Sequence, residues 1–373
     1  MAGKGGEMPG KSFKPRDPSA AGAEAFTGEY VDDEATGLEL SEVAILLERT
    51  LFEAKRVLVG QDRMLERMMV CLLARGHCLL EGVPGLAKTL AVETLARAVR
   101  GSFVRIQFTP DLVPSDIVGS TIFKSDRSTF DVVLGPVFAN FVLADEINRA
   151  PAKVQSALLE VMSEQQATIN GVSYPAPEPF FVLATQNPIE SEGVYPLPEA
   201  QRDRFLMKIL VPYPTPTEEL EIINRMGVDP PRATPVLDAT ELLALQRAVD
   251  MVFVHQHIAE YAVRLVYASR DPLAFEVEGL DGLIAFGASP RASLGLVASA
   301  RALALLRGRE YVLPQDVTDL APDILRHRLV LTFDAVADGI DVEAVLDRLL
   351  TGIAPPDIAP SQNRLPLPSA QAS

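Results

Sequence analysis

The octet at residues 82–89 has the composition of a loop that binds phosphate. Its glycines let the backbone turn so that several N–H groups point inward, and the helix-forming run that follows presents unpaired amides and a positive dipole end. Lys88 would reach the β- and γ-phosphates of a nucleotide, and the Thr89 hydroxyl would ligate Mg²⁺. A plain turn between a strand and a helix has a similar composition, so residues further along the chain decide between the two interpretations. The nucleotide-binding residues predicted in this segment are Gly82, Val83, Pro84, Gly85, Leu86, Ala87, Lys88, Thr89 and Leu90.

Ala87 departs from the pattern G-x-x-x-x-G-K-[ST], because it stands where a glycine is usual. An alanine fits this position only if its φ is negative, as it would be in the first turn of a helix. We therefore expect a negative φ at Ala87.

An apolar run at 141–144 ends in two carboxylates, Asp145 and Glu146. Asp145 would hold the Mg²⁺ shell, and Glu146 would orient and activate the attacking water. An acidic pair after a strand is also favoured at the start of a helix. Next to a phosphate loop, we interpret the pair as the second half of a site that hydrolyses a nucleoside triphosphate.

Asn187 follows another apolar run, at 181–184. Ligands of an open parallel sheet lie at the carboxyl ends of its strands, so this amide is placed to hydrogen-bond the γ-phosphate or the attacking water. An Asx turn before Pro188 is the alternative interpretation.

Arginines occur at two further places that suit phosphate chemistry. Arg202 and Arg204 precede the last predicted strand, and Arg291 begins a helix after Ser289 and Pro290. A guanidinium is a permanent, planar partner for phosphate oxygens and can neutralise charge as the γ-phosphoryl group leaves.

The elements that would position these residues alternate apolar strands with amphipathic helices, which is typical of a parallel sheet covered on both faces. Beyond the proline-containing segment 212–216 the strand signals largely end and helical patterns follow, which indicates a domain boundary. Strands are predicted at 77–81, 103–108, 140–144, 180–184 and 206–211, and later helices at 218–225, 239–249, 258–269, 291–306 and 314–327.

Two hairpins interrupt this alternation. One is predicted from strands at 120–123 and 129–133, and the other from the Asn170-Gly171 turn within 167–174. Hairpins on an α/β core are often surface decoration, so a role in substrate handling stays open.

Composition restricts the class of protein. The 373 residues carry 34 Lys and Arg against 50 Asp and Glu, a net charge of −16, which argues against a large nucleic-acid surface. No apolar run reaches the length of a membrane helix and no secretory signal is evident, so we expect a cytoplasmic protein. Cys71 and Cys78 are interpreted as small buried hydrophobes in a reducing compartment, and His255 and His257 lack the further ligands that a metal site needs.

Both ends of the chain are rich in small, polar and proline residues and are interpreted as mobile tails. The predicted organisation is a tail at 1–37, a nucleotide-binding α/β core at 38–213, a helical lid at 214–352 and a second tail at 353–373.

With these residues in place, the chain resembles an AAA+ ATPase, and within that superfamily it is similar to the MoxR family. The resemblance runs from about residue 38 to 350 and is carried by the motifs at 59–61, 81–89, 144–151, 184–188, 203–205 and 287–291. It implies a P-loop AAA+ parallel sheet flanked by helices, with two β-hairpin insertions and a smaller all-α lid. It also implies that Ala87 is a normal variant of the loop.

The same resemblance assigns residues to roles. It implies that Gly60 and Gln61 lie near the adenine, that Asn187 is the sensor-1 residue and that Arg291 is the sensor-2 residue. It further implies that Arg204 is an arginine finger, meaning an arginine that enters the nucleotide site of a neighbouring subunit. The family commonly has an aliphatic residue two positions before the finger, whereas this chain has Arg202, so either arginine could contact the neighbour.

The resemblance implies ATP and Mg²⁺ as cofactors and a homo-oligomeric ring, for which we expect a hexamer. It implies a protein client that is remodelled, matured or loaded with a cofactor or metal, and a partner that carries a von Willebrand factor A domain. The hairpins would then face the central pore or the client. Two other functions stay open at this point, a motor stimulated by nucleic acid and a nucleotide-gated scaffold with little turnover.

Overall fold

The structure is a computed structural model, and it describes residues 40–124, 129–188 and 193–358. The tail predicted at 1–37 and the part of the second tail beyond residue 358 lie outside these ranges. Within the second predicted tail, Ile353 is buried and Ile358 packs against the core. None of the described helices combines the length and the hydropathy needed to span a bilayer.

Strands occur in a central sheet, in two hairpins and in a short ladder near the end of the chain. They are β1 (Cys78–Glu81), β2 (Phe103–Gln107), β3 (Gly119–Lys124), β4 (Thr129–Leu134), β5 (Phe141–Asp145), β6 (Gln166–Ile169), β7 (Val172–Pro175), β8 (Phe181–Gln186), β9 (Met207–Leu210), β10 (Ile284–Phe286) and β11 (Val330–Leu331).

The helices precede the sheet, alternate with its strands and then form the second half of the chain. They are α1 (Leu40–Val57), α2 (Asp62–Leu73), α3 (Lys88–Ala98), α4 (Pro114–Val118), α5 (Ala152–Glu164), α6 (Glu199–Arg202), α7 (Pro216–Met226), α8 (Ala239–Met251), α9 (Gln256–Ala268), α10 (Pro290–Leu306), α11 (Pro314–Leu325), α12 (Phe333–Ala337) and α13 (Val342–Gly352).

The central sheet is parallel and has the spatial order β2-β5-β8-β1-β9. Its strands lie within two residues of the predicted ones. Because β8 lies between β1 and β5, the segments that follow these three strands meet at one edge of the sheet. The order therefore brings the phosphate loop, Asn187 and the acidic pair to the same place.

Both faces of the sheet are buried, which explains why its strands are apolar at successive positions. Leu79 packs on one face with Val142, Val182 and residues of α5. Leu80 packs on the other face, against α2, α3 and the lid helix α10. Side chains alternate between faces along a strand, so neighbours in sequence belong to different apolar clusters.

Both hairpins occur at the predicted positions, β3–β4 between α4 and β5, and β6–β7 between α5 and β8. Asn170 and Gly171 have φ of 51° and 79°, as a tight hairpin turn requires. Residues 125–128, at the end of the first hairpin, lie outside the described ranges. The β3–β4 hairpin exposes the rings of Phe123 and Phe130, whose centroids are 5.1 Å apart.

The second half of the described chain is mostly helical and contains one short antiparallel ladder, β10–β11. The predicted α/β core followed by a smaller helical domain is confirmed in this architecture. The exact boundary at residues 213 and 214 stays a prediction. Helix caps explain several starts in this half, since Thr215 and Asp238 each accept a hydrogen bond from the backbone N–H three residues later.

Charged side chains join the lid to the core. The Arg67 guanidinium of α2 is 1% exposed and donates to Asp323 at 2.9 Å and Asp319 at 2.8 Å, both on α11. Arg326, just after α11, donates to the Lys208 carbonyl oxygen of β9 at 2.6 Å. Since buried ions are stable only when they are paired, these contacts fix α11 against the core.

Candidate nucleotide site

The phosphate loop runs from the end of β1 to the first residue of α3. Leu86 is buried and Val83 packs against the core, whereas Pro84 and Gly85 are exposed. Gly82 lies so close to Val211, the residue after β9, that a Cβ there would be 2.9 Å from the Val211 carbonyl oxygen. The apolar residues thus fix the loop on the core, and its outer backbone faces solvent at a helix N-terminus, where an anion would bind.

The expectation of a negative φ at Ala87 is wrong. Its φ is 55° and its ψ is 21°, in the left-handed region, immediately before the first helical residue Lys88. The left-handed geometry that usually favours glycine is thus kept at this position although a Cβ is present. An alanine in this conformation costs on the order of 1 kcal/mol.

Lys88 lies in the phosphate loop and is influenced electrostatically by the carboxylates of the site. Its Nζ donates to the Gly82 carbonyl oxygen at 2.5 Å. Burial lowers the pKa of Lys88, and nearby carboxylates oppose that shift. The carboxylates belong to Asp145, Glu146 and Glu81. The ammonium group therefore lies in a partly buried, acidic environment.

Thr185, a buried residue of β8, orients both members of the acidic pair. Its hydroxyl donates to Asp145 Oδ1 at 2.6 Å and accepts from the Glu146 N–H at 2.8 Å. Glu146 has a φ of 57°, so the chain turns sharply between the two carboxylates. Neighbouring strands thus fix the direction in which each carboxylate points.

The second carboxylate oxygens contact side chains of β2 and of the turn after β5. Asp145 Oδ2 accepts from Arg105 Nε at 3.0 Å and Nη2 at 2.5 Å. Glu146 Oε2 accepts from Gln107 Nε2 and from Arg149 Nη1, each at 2.9 Å. Each carboxylate is therefore held in a fixed orientation by side-chain donors from neighbouring elements.

Asn187 is 7% exposed and follows β8 directly. The register pairs Glu81 of β1 with Gln186 of β8, so Asn187 lies beside the start of the phosphate loop. On its other side β8 pairs with β5, which ends at Asp145. Its predicted position between the loop and the acidic pair agrees with this topology.

Gly60 and Gln61 lie between α1 and α2, against the segment that follows β9. Gln61 Nε2 donates to the Pro212 carbonyl oxygen at 3.4 Å, and a Cβ on Gly60 would be 2.5 Å from Glu218 Cδ. Gly60 has a φ of 71°, which favours glycine independently. Val211, which precedes Pro212 in this segment, also lies against Gly82 at the start of the phosphate loop.

The three predicted arginines make their hydrogen bonds outside the acidic pair. Arg204 is exposed and donates from Nη1 to the Leu159 carbonyl oxygen at 2.7 Å. Arg202 has a buried Nε that finds no hydrogen-bond partner in the described part of the chain. Arg291 is exposed in the first turn of α10. Within the described ranges, no hydrogen bond or ion pair joins these arginines to Asp145 or Glu146.

Four residues at or near the site were not predicted from the sequence, namely Arg105, Gln107, Thr185 and Asp203. The first three contact Asp145 or Glu146, and Asp203 precedes Arg204 in the chain. Arg105 and Gln107 alternate with buried Ile106 near the carboxyl end of an apolar strand. Polar residues at that end of a strand are a usable signal, but only the order of the strands tells which carboxylate they meet.

Among the described residues, the two cysteines and the two histidines near residue 256 form no hydrogen bond or ion pair with the residues of the site. Cys71 and Cys78 are both buried and free, and burial raises the pKa of the Cys78 thiol. His255 accepts from the His257 N–H, and His257 pairs with Glu260 at 3.0 Å. In the ranges that the structure covers, no group of three or more potential metal-ligating side chains occurs.

Comparison with known proteins agrees with this geometry. Residues 77–207 match the model of the ATPase family associated with various cellular activities (AAA), and residues 281–349 match the AAA lid domain. A protein named Chaperone MoxR1, from Mycobacterium tuberculosis, is 60% identical over 329 residues, which are 88% of this chain and 87% of that protein.

Two further similarities extend over most of the chain. Protein MoxR from Methylorubrum extorquens is 32% identical over 297 residues, which are 75% of this chain and 86% of that protein. A crystal structure of a protein described as an ATPase, from Cytophaga hutchinsonii, has a TM-score of 0.81 at 42% identity and covers 87% of this chain and 98% of that one. The chain is therefore a member of the MoxR family of AAA+ ATPases.

Proposed function

We propose that the chain hydrolyses ATP in a Mg²⁺-dependent reaction at the interfaces of a hexameric ring, and that turnover remodels or matures a protein client. The proposal includes a partner with a von Willebrand factor A domain, cofactor or metal insertion as one form of maturation, and a cytoplasmic location. The observation that carries it is the placement of Asp145 and Glu146, both hydrogen-bonded to Thr185, in the electrostatic environment of Lys88 of the phosphate loop. Such a placement suits hydrolysis rather than binding alone.

Different residues bind the phosphates, adjoin the adenine and orient the attacking water. The backbone of the loop and Lys88 bind the phosphates, while Gly60 and Gln61 adjoin the adenine. Glu146 orients the attacking water and takes its proton, and Asn187 hydrogen-bonds the γ-phosphate or that water. Gln107 and Arg149 fix the direction of the Glu146 carboxylate.

Thr89 and Asp145 fit a magnesium ion, because both offer oxygen atoms, the ligands that this hard cation prefers. Thr89 is half-buried in the first turn of α3, and Asp145 is 13% exposed. Bound there, Mg²⁺ would neutralise charge on the β- and γ-phosphates.

Arg204 supports a site that is completed by a second subunit. Its side chain is exposed and makes no contact with the acidic pair of its own chain within the described residues. We assign Arg204 as the arginine finger and Arg291 as the lid residue that contacts nucleotide in its own subunit. A finger in trans makes turnover depend on the interface, so hydrolysis can move neighbouring subunits.

The exposed ring pair on the β3–β4 hairpin supports a protein client. Phe123 and Phe130 are 54% and 71% exposed. Exposed apolar clusters commonly mark protein contact sites. The net charge of −16 favours a protein over a nucleic acid as the substrate of the motor.

Two variants test the division of roles in the pocket. We expect Lys88→Ala to lose binding of a fluorescent ATP analogue, and Glu146→Gln to bind it while phosphate release falls by about 10³-fold or more. The mass of the assembly, measured by light scattering with ATP and Mg²⁺, should rise to that of a ring for Glu146→Gln. Equal loss of binding in both variants, or a monomer throughout, contradicts the proposal.

Subunit mixing tests the finger. Arg204→Ala alone should bind ATP and hydrolyse it about 10³-fold more slowly or worse. Mixed in equal amounts with Lys88→Ala, it should recover about a quarter of the wild-type rate, because half of the pockets and half of the fingers are intact in a randomly mixed ring. Arg202→Ala is the matched control, and rescue of that variant instead would move the finger to Arg202.

Added macromolecules test the client class. We expect a permanently unfolded, reduced protein to stimulate phosphate release at physiological salt. Single-stranded or duplex DNA should leave the rate unchanged. Stimulation by DNA alone would favour a nucleic-acid motor instead.

A further inference from the structure

Asp203, the residue immediately before Arg204, is held by two side chains of the lid. Its Oδ1 accepts from Arg328 Nε at 2.7 Å, and its Oδ2 accepts from Ser289 Oγ at 2.8 Å. The Arg328 side chain is only 3% exposed, so the ion pair is largely shielded from solvent. Charge-assisted hydrogen bonds of this kind are stronger than neutral ones.

The lid also holds the backbone on the other side of Arg204. Arg328 Nη2 donates to the Phe205 carbonyl oxygen at 2.8 Å, and Nη1 donates to that of Leu206 at 3.1 Å. His327 Nε2 is 3.0 Å from the Phe205 carbonyl oxygen. The position of Arg204 is therefore set from both sides by lid residues.

Ser289 connects Asp203 to Arg291, the lid residue that is proposed to contact the nucleotide. It is the N-cap of α10, and its Oγ accepts from the Arg291 N–H at 3.2 Å while it donates to Asp203. A single hydroxyl thus separates the Asp203 carboxylate from the backbone of Arg291. A shift of the start of α10 must change or break the bond to Asp203.

We propose that Asp203 is a positioning residue which couples the nucleotide state of one subunit to the arginine that this subunit offers to its neighbour. The inference rests on the proposed function, in which Arg291 contacts nucleotide in its own subunit and Arg204 acts in the next one. When bound ATP attracts Arg291, the start of α10 moves and carries Ser289 with it. Asp203, which is bonded to Ser289, then places Arg204 differently in the neighbouring site. The coupling runs through named bonds between two elements that can move relative to each other.

The experiment compares two finger donors mixed with the same acceptor. The acceptor is Arg204→Ala, whose pocket is intact. One donor is Glu146→Gln, whose pocket holds ATP, and the other is Lys88→Ala, whose pocket is empty; neither hydrolyses ATP, and both have an intact Arg204. All turnover in the mixtures therefore comes from acceptor pockets served by donor fingers.

Coupling predicts that the two donors support rates that differ by about fivefold or more. Ser289→Asp placed in both donors should reduce that difference to within about twofold, because aspartate still caps the helix but repels Asp203. Ser289→Thr keeps the hydroxyl and is the conservative control, so it should restore the difference. Asp203→Asn in the donors tests the same link from the other side while it keeps the size of the side chain.

The outcomes distinguish a failure of the proposed function from a failure of the coupling. Absence of rescue with unmodified donors overturns the finger in trans and with it the proposed function. Rescue with equal rates from both donors overturns the coupling alone. Rescue with a difference that survives both Ser289→Asp and Asp203→Asn shows that Asp203 does not carry the coupling.

Discussion

Asp145, the carboxylate expected to hold the magnesium shell, forms an ion pair with Arg105 at 2.5 Å. Strand β2 lies beside β5 in the sheet, with Gln107 opposite Asp145 in the register, so the pair is a consequence of strand order. A cation of the protein thus already partly neutralises the carboxylate that is proposed to attract Mg²⁺.

We expect Arg105→Gln to lower the Mg²⁺ concentration that gives half-maximal ATP binding. Like charges repel, so removal of the guanidinium should favour the metal by about twofold to fivefold, a modest factor because Arg105 is 50% exposed and screened by solvent. Binding of a fluorescent ATP analogue is titrated with Mg²⁺ in the Glu146→Gln background, where no turnover interferes. Arg97→Gln, at a similarly exposed ion pair on α3, is the control, and an equal response of both variants would contradict the expectation.

Ala87→Gly should stabilise the chain. Its φ of 55° strains an alanine, and a glycine relieves about 1 kcal/mol of that strain. The greater conformational entropy that a glycine loses on folding offsets a smaller part of this gain. Ala157→Gly, the same change inside α5, should instead lower the free energy of unfolding by about 0.5–1 kcal/mol. Urea unfolding of both variants measures the two signs, and a destabilised Ala87→Gly would argue against the left-handed loop.

The stability of the chain should fall as the pH falls from 7 to 5. His77 is buried, accepts from the Val182 N–H at 3.0 Å, and has its pKa lowered by burial to about 4. Between the unfolded value of about 6.5 and this folded value, only the unfolded chain binds the proton, so stability is complete above pH 6.5 and is lost as the pH falls toward 4. One such histidine removes about 2 kcal/mol by pH 5.

His77→Gln is expected to have a shallower pH dependence in the same unfolding measurement. Some dependence will remain, because burial also lowers the pKa of His327. Identical slopes for the wild type and His77→Gln between pH 7 and 5 would contradict the assignment.

Arg67→Met should destabilise the contact between core and lid. It removes a guanidinium that is 1% exposed and leaves Asp323 buried with fewer partners. We expect the free energy of unfolding to fall by about 3 kcal/mol. Arg63→Met is the matched control, since Arg63 contacts the same carboxylate from a side chain that is 59% exposed and should change stability by less than about 1 kcal/mol. Thermal unfolding distinguishes the two, and equal shifts would show that burial does not set the cost.

Sequence patterns located residues at or beyond the ends of core strands, because the end of an apolar run marks the edge of a parallel sheet. Lys88, Asp145 and Asn187 are of this kind. Arg105 could not be assigned in this way, since its partner depends on which strand lies beside β2 and not on spacing along the chain.

Two other features required the folded chain. The left-handed φ of Ala87 follows from the path into α3, whereas its residue type indicated the opposite sign. Asp203 contacts Ser289, which is 86 residues further along the chain, and Arg328, which is 125 residues further. Only the docking of the lid on the core reveals these contacts. Spacing within a motif is local information, and both features depend on how distant segments meet.

The contacts of Arg326 restrict how the lid can travel. Its guanidinium binds the Lys208 carbonyl oxygen at 2.6 Å and Glu343 of α13 at 2.7 Å, so the end of α11 and the last helix share one attachment to β9. A rigid rotation of the whole lid about the connection at 212–216 would therefore have to break these contacts. With these contacts kept, a displacement of the start of α10 would have to be taken up within the lid.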